Sequence, residues 1–355
     1  MKIRQCAQMA GALGLLPTFA LLKTSAVKKL IESYPQHLQQ AAQTVAETPF
    51  RAFDRAVHQI VITGLGGSGI GGSMAAEWAA SASEVPVWVN KGYELPAFVN
   101  RFTAVIVCSY SGNTEETLHA LAQAEARGAM ILAISSGGQL AEKAREKNWN
   151  LLSMEGGNPP RSMLGYSAIF LLHYLRQLGV NLPAPDTTVQ AVRQLLSEQA
   201  AAIHQQARQL AEALDGTVPQ LLATTGNVAL ATRWRQQLNE NAKMLAWEAE
   251  VPEMNHNELV GWEGGDERFS VVFLRHEHDL ARNQKRLAII EEIIRGKTQQ
   301  VHTVWSRGTN PVERHLYLIH LGDWLSYYLA EKRGVDIIDI RSIDRLKSEL
   351  GKIPF

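Results

Sequence analysis

The sequence predicts an α/β protein made of two units of similar size, each a mostly parallel sheet covered by helices on both faces. Three observations carry that expectation. Short, almost continuously apolar runs rich in Val and Ile alternate with helix-length stretches, as strands of a doubly covered parallel sheet do. The alternation pauses at Asn181-Leu182-Pro183-Ala184-Pro185, which reads as a linker, and starts again at Val218. The chain has 355 residues, more than one core of ordinary size usually takes up, so two domains are expected.

The elements follow in order. From Ser25 apolar residues recur at helical spacing (Val27, Leu30, Ile31, Leu38), with Pro35 as a kink or break, and Gln/Ala-rich sequence runs to Ala46. Gln59–Thr63 is a strand by its β-branched content and the glycines that end it; Val85–Val89, Ala104–Cys108, Met130–Ile134 and Trp149–Leu152 continue the series. Helices are predicted over Met74–Ser81, Thr114–Arg127, Leu140–Lys147 and Leu164–Leu178. In the second unit Thr188–Leu214 reads as one amphipathic helix, Val218–Ala223 as strand, Gly226-Asn227 as turn and Val228–Glu248 as helix. Phe269–Leu274 and Val301–Trp305 are strands around a helix at Leu280–Arg295, and Leu316–Lys332 is the last long helix.

Composition narrows the function. Lys+Arg is 35 and Asp+Glu is 35, so the formal charge of zero gives no global footprint for nucleic acid or an anionic membrane. Two cysteines, Cys6 and Cys108, make neither a disulfide framework nor a thiolate zinc site. No apolar run is long enough for a membrane span. Met1–Leu22 has the outline of a secretory signal, with Lys2 and Arg4 before an apolar stretch, but no small-residue cleavage site follows at Leu21–Ser25. An apolar helix packed on the body, or an appended tail, are the other readings.

Two loops carry chemistry. Gly64-Leu65-Gly66-Gly67-Ser68-Gly69 follows the first strand and opens a helix, so its backbone can approach an anion while helix amides donate to it. A dinucleotide reading would need an acid at the end of the second strand; Asn90 stands there, which disfavours a nicotinamide-dependent oxidoreductase. After the third strand, Ser109-Tyr110-Ser111-Gly112-Asn113-Thr114 sets three hydroxyls at i, i+2 and i+5 across a strand end, a turn and a helix N-terminus, a compact cradle for a phosphate. Thr114 reads equally well as a plain helix N-cap, and both roles can share one helix end.

These residues, 109 − 64 = 45 apart, resemble the sugar isomerase (SIS) domain. Together with Pro159-Pro160-Arg161, Asn239-Glu240-Asn241-Ala242-Lys243, Pro252-Glu253-Met254-Asn255-His256-Asn257-Glu258 and Leu346-Lys347, they resemble the bifunctional phosphoglucose/phosphomannose isomerase family, from about residue 27 onward. The resemblance implies two SIS-type subdomains of flavodoxin-like, three-layer form: a tail at 1–24, a phosphate-binding unit at 25–185 and a second unit at 186–355. It also implies an aldose–ketose isomerase acting on glucose 6-phosphate and mannose 6-phosphate, giving fructose 6-phosphate through a cis-enediol. Glu240 would carry the proton, Arg161 would stabilise the enediolate, and His256 and Lys347 would assist ring opening. Ser109, Ser111 and Thr114 would hold the phosphate, with Gly66, Gly67 and Ser68 beside them. By the same resemblance the protein would be a homodimer lending His256 across its interface, cytoplasmic, without cofactor, nucleic acid or membrane partner. One departure is Ile340, seven residues before Lys347, where some relatives carry a threonine associated with accepting mannose geometry at C2.

On the residues alone, Glu240 reads as a solvated helix face and His256 as a hydrogen-bonded loop residue. His276-Glu277-His278 lacks a third metal ligand nearby and reads as an exposed turn; enediol chemistry needs no metal where a carboxylate and an oriented cation are at hand. Trp247 and Trp262 read as core, and Glu142–Lys147 and Arg341–Lys347 as solvated helix faces. The competing class is a non-catalytic sugar-phosphate sensor, which would not need Glu240 or His256.

Overall fold

Two all-parallel sheets organise the computed structural model, which describes residues 25–353. The first contains β1 (Gln59–Thr63), β2 (Val87–Asn90), β3 (Thr103–Cys108), β4 (Met130–Ser135) and β5 (Asn150–Ser153) in the order β2-β1-β3-β4-β5. The second contains β6 (Val218–Thr224), β7 (Trp247–Val251), β8 (Phe269–Arg275) and β9 (Val301–Trp305) in the order β7-β6-β8-β9. Both begin in the middle, step one strand outward and then reverse, so each has a switch point, at β1/β3 and at β6/β8. Ligands of open parallel sheets collect at such points, outside the carboxyl ends of the strands.

A helical segment at 25–32 precedes α1 (Tyr34–Glu47), the break falling just before Pro35. Then follow α2 (Gly66–Ala79), α3 (Glu115–Ala126), α4 (Gly138–Glu146), α5 (Leu164–Gln177), α6 (Pro185–Glu198), α7 (Ala200–Leu214), α8 (Val228–Ala242), α9 (Ala281–Arg295), α10 (Pro311–Arg333) and α11 (Arg341–Leu350).

Strand alternation assigns the cores. Ile60, Ile62 and Ile106 of the first sheet share one cluster with Leu221, Val272 and Leu274 of the second, filled in by α5 and α10. The opposite faces have their own cores: Val61, Val105 and Ile131 under α3 and α4, and Leu222, Val271 and Phe273 under α9. The middle helices are therefore shared by both units. α10 is buried nearly all round from Val312 to Ala330, the mark of a central helix. No helix among the described residues is long and apolar enough to cross a membrane.

Four expectations need correction. The helix expected over Val228–Glu248 ends at Ala242, where Lys243 takes a left-handed conformation (φ 54°), and Trp247–Val251 becomes β7. Its Trp-Glu-Ala-Glu-Val alternation is a strand pattern masked by glutamates, which favour helix; Glu248 pairs with Arg235 of α8. The single helix over Thr188–Leu214 is interrupted at Gln199. The helix expected from Met74 starts at Gly66, inside the glycine loop, because Gly72 lies against Ile62 where a Cβ would come within 2.8 Å of Cγ2. His276 is buried rather than in an exposed turn: its Nδ1 meets Ser306 Oγ at 2.7 Å, and burial pulls its pKa down to about 4. The expectations for residues 1–24 lie outside the described residues.

The units are joined by α2 and α8, which run antiparallel to one another. Near the end of α2, Glu77 Oε1 accepts the Ala229 N–H at 2.8 Å, and Trp78 Nε1 donates to His315 Nδ1 at 3.0 Å. Burial raises Glu77 from 4.5 to about 7, against the backbone N–H groups of residues 228 and 229 that favour its anion. A carboxyl whose folded pKa is raised stabilises the fold below its unfolded pKa and loses that contribution as pH climbs through the folded value. Burial acts oppositely on His276, His315 and His320, whose contribution is present above pH 6.5 and is lost as pH falls toward 4 and below. Replacing Glu77 with Gln should therefore raise thermal stability relative to the unmodified protein progressively between pH 5 and pH 8, by up to about 3 kcal/mol. Parallel melting-temperature curves over that range would refute the assignment.

Candidate active site

The first sheet's switch point is built by two loops that nearly touch. β1 runs into Gly64–Ser68 and β3 into Ser109–Thr114, and β1 and β3 are paired neighbours. A Cβ on Gly64 would lie 2.7 Å from the Cys108 carbonyl oxygen, so the approach requires glycine there. Gly112 is the second such position, with φ +70° and the Gly137 carbonyl oxygen 1.8 Å from where its Cβ would be. That contact seats the turn after β4 behind the hydroxyl loop, where Ser136 Oγ donates to the Tyr110 carbonyl at 2.6 Å.

The three hydroxyls take the arrangement their spacing suggested. Ser109 Oγ and Thr114 Oγ1 are 2.9 Å apart, the Gly112 N–H donates to Ser109 Oγ at 3.1 Å and the Asn113 N–H to Ser111 Oγ at 3.2 Å. Thr114 occupies the N-cap position of α3, but its hydroxyl faces Ser109 and makes no capping hydrogen bond. α2 likewise begins after Leu65 with no side-chain cap. Two helix N-termini thus open from the ends of paired neighbouring strands without a side-chain cap, the setting that favours an anion. Ser109 is buried, Ser68 and Thr114 are half-buried and Ser111 is exposed. Asn90, where a dinucleotide site would want an acid, spends its amide on Thr63 Oγ1 and the Gly92 carbonyl.

Arg161 closes the other side. It sits in the 3₁₀ turn Pro160–Met163, whose Pro160 carbonyl would be 3.3 Å from a Cβ on Gly67. The side chain is 6% exposed: Nε donates to Asn241 Oδ1 at 2.7 Å, Nη1 to Glu240 Oε2 at 3.2 Å and Nη2 to the Ile337 carbonyl at 2.8 Å. Burial works against its charge and lowers its pKa, and the neighbouring Glu240 carboxylate works to restore it. Glu240 keeps 34% of its side chain exposed, so one face of the carboxylate is open. Lys243 Nζ turns back to the Glu240 carbonyl, and burial and then Arg161 lower its pKa. In front of this pair lie two adjoining cavities of about 610 and 630 Å³ that share Asp339, Ile340 and Arg341 in their walls.

The site residues do not all converge. Gly66, Gly67, Ser68, Ser109, Ser111, Thr114, Arg161 and Glu240 belong to one neighbourhood through the Gly67–Pro160 and Arg161–Glu240 contacts. His256 does not. α8 runs back along the second sheet, so Glu240 lies at the end where β7 starts, whereas His256 follows the other end of β7. A 15-residue helix separates those ends, about 22 Å. Lys347 is exposed on α11, and no contact links it to Arg161 or Glu240, although the first turn of that helix lines the cavities. Sequence reading missed the polar residues behind Arg161, namely Arg233, Gln237, Asp323 and Ser326. A signal was available in Asp323, a charge inside the apolar run Leu316–Leu329, since a buried polar group is the informative exception in such a helix.

Residues 55–151 match the SIS domain model, and residues 203–350 match that of the bacterial phospho-glucose isomerase C-terminal SIS domain. Fold and site thus define a double SIS-domain protein. Among curated proteins, the bifunctional phosphoglucose/phosphomannose isomerase of Caldicellulosiruptor bescii is 35% identical over 91% of this chain and 98% of its own. That of Aquifex aeolicus is 34% identical over 92% and 98%. The chain belongs to the bifunctional phosphoglucose/phosphomannose isomerase family. Among solved structures, the C-terminal domain of glucosamine-fructose-6-phosphate aminotransferase from Francisella tularensis superposes with a TM-score of 0.69 at 17% identity, over 87% of this chain and 96% of that one, which shows the shared fold.

The close approach at Gly112 yields a direct test. Gly112→Ala has no room for its methyl group and is strained at φ +70°, so it should destabilise the protein by about 2 kcal/mol or more and abolish phosphate binding in calorimetry. Unchanged melting and phosphate affinity would show that the loops need not meet so closely.

Proposed function

We propose that this chain is an aldose–ketose isomerase that interconverts glucose 6-phosphate and mannose 6-phosphate with fructose 6-phosphate. The observation that carries the reading is the buried Arg161 guanidinium, 3.2 Å from the half-open Glu240 carboxylate, at the edge of a hydroxyl-and-amide cradle. A phosphate dianion held by Ser109, Ser111, Thr114 and the N-terminal amides of α2 and α3, beside Gly66, Gly67 and Ser68, would direct the sugar chain toward that pair. Glu240 then takes the C2 proton of the open-chain aldose and returns it to C1, while the O2 hydroxyl proton passes to O1, leaving the C2 ketone and a C1 hydroxyl. The enediolate between these steps carries negative charge on oxygen, which a fixed, desolvated guanidinium stabilises without reorganising. No redox partner is needed, because the hydrogen removed is the hydrogen returned.

Ring opening needs a second proton donor, and His256 of a partner subunit fits that need better than His256 of the same chain, which stands at the far end of the second sheet. We therefore infer a homodimer with shared sites, with Lys347 approaching the ring oxygen, and residues 25–185 and 186–355 as the two SIS subdomains. Phosphorylated hexoses are retained inside cells, which favours a cytoplasmic enzyme without nucleic-acid or membrane partners. Ile340 begins α11 beside Arg161, so its apolar side chain would face C2, where glucose and mannose differ.

Glu240→Gln should reduce turnover of fructose 6-phosphate by at least about 10³-fold while leaving its dissociation constant within a few fold. Near-normal turnover by that variant would overturn the mechanism. For the shared site, Glu240→Gln and His256→Ala protomers unfolded, mixed equally and refolded should regain about one quarter of unmodified activity, because half the dimers would hold one intact site of two. A mixture no more active than its separate components would mean that each chain supplies its own histidine.

A further inference from the structure

We propose that Asp323 and Ser326 are positioning residues for this isomerisation, each fixing Arg161 against Glu240 through its own hydrogen-bonded route. The inference rests on the reading of Arg161 and Glu240 given above and concerns side chains that do not touch the substrate.

Asp323 lies on the central helix α10, 6% exposed, and its carboxylate Oδ1 accepts from Arg233 Nη2 at 3.0 Å and from Gln237 Nε2 at 2.6 Å. The same Arg233 nitrogen donates at 2.7 Å to the main-chain carbonyl of Arg161. That is the first route, from Asp323 through Arg233 to the backbone that carries the Arg161 side chain. The second runs along the side chains. The Asp323 carbonyl accepts from Ser326 Oγ at 2.8 Å, Ser326 Oγ accepts from Asn241 Nδ2 at 2.9 Å, and Asn241 Oδ1 receives Arg161 Nε at 2.7 Å. Asn241 is the next residue to Glu240, so this route also ties the guanidinium to the turn of α8 that bears the carboxylate.

Stability alone does not account for the arrangement. Arg233 is 1% exposed, and an ion pair buried so deeply is often no more stabilising than apolar side chains of equal volume. Its geometry, by contrast, is specific: the Asp323 carboxylate constrains the main chain of Arg161, and Ser326 on the next turn of α10 constrains its side chain through Asn241. Reaction rates are sensitive to such constraint, since misplacement by about 1 Å can cost about 10²-fold. The phosphate cradle at 64–68 and 109–114 has no contact with Asp323, so substrate capture should not depend on it.

Two variants of the full-length protein test the idea with fructose 6-phosphate as substrate. Asp323→Asn keeps the shape but leaves the Arg233 charge unpaired, and kcat should fall about 10²-fold with KM within twofold of normal. Ser326→Ala cuts the second route alone and should lower kcat about 10-fold with KM and melting temperature unchanged. In an Arg161→Lys background Ser326→Ala should cost nothing further, because Lys offers no Nε–H to Asn241. A folded Ser326→Ala protein with normal kcat would overturn the second route, a folded Asp323→Asn protein with normal kcat the first, and equal effects on kcat and 1/KM would overturn both. If Glu240→Gln proves inactive while Asp323→Asn and Ser326→Ala turn over normally, the positioning role alone fails; an active Glu240→Gln protein would instead refute the underlying mechanism.

Discussion

The guanidinium of Arg161 is the interaction on which the site depends, because it is where the two SIS units become one. It comes from the turn after β5 in the first unit, and every partner of its side chain comes from the second: Asn241, Glu240 and the Ile337 carbonyl. A buried cation without such partners would be several kcal/mol unfavourable. Burial of Arg161 therefore holds the end of α8 against the cradle, and places a positive charge at the cradle's edge. The closeness of Gly67 to Pro160 has the same origin, since a side chain at 67 would hold that turn away.

The two units repeat one topology but differ in what fills their switch points. In the first, the helix after the central strand, α2, has no side-chain cap at its N-terminus. In the second, the matching helix α8 receives the Glu77 carboxylate on its Ala229 amide, and Thr224 at the end of β6 donates to Asp279 Oδ1. Carboxylates of the chain itself stand in the second unit where an anionic ligand could sit in the first. One pocket stays open and the other is internally satisfied, so a duplicated fold yields one cradle per chain. The open pocket needs no excess of charge elsewhere, which is consistent with a chain of 35 basic and 35 acidic residues.

Much of this was legible in the sequence. Strands with β-branched runs bounded by glycine declared themselves, because burial on both faces leaves no polar residue to confuse the pattern; β1, β3 and β4 are the clearest. β7 was hidden because it is an edge strand whose Glu248 and Glu250 face α8 and Thr225, where they are hydrogen-bonded. The hydroxyl loop was readable as a cradle from spacing alone, but Thr114 could not be separated from an ordinary N-cap without the contact to Ser109. Glu240 and Arg161 lie 240 − 161 = 79 residues apart, and nothing local in either segment announces the other. Their pairing follows from how α2 and α8 pack, a tertiary fact.

That packing also bears on the proposal that two chains share each site. α8 is antiparallel to the strands of its sheet, so its first residue and the loop after β7 share one edge while Glu240 lies at the other. No adjustment of side chains moves His256 across a sheet, and strand register fixes β7 against β6 from Gln220–Trp247 to Thr224–Val251. The same edge geometry leaves large apolar side chains uncovered, with Leu245 81% and Val260 71% exposed on either side of β7, and Leu346 60% exposed on α11. Exposed apolar side chains of this size, on the elements that flank the cavity and carry His256, are what an interface between copies would bury. The uncovered residues lie toward both ends of β7, Leu245 on the side of Glu240 and Val260 on the side of His256, so a partner that covered them would reach both ends.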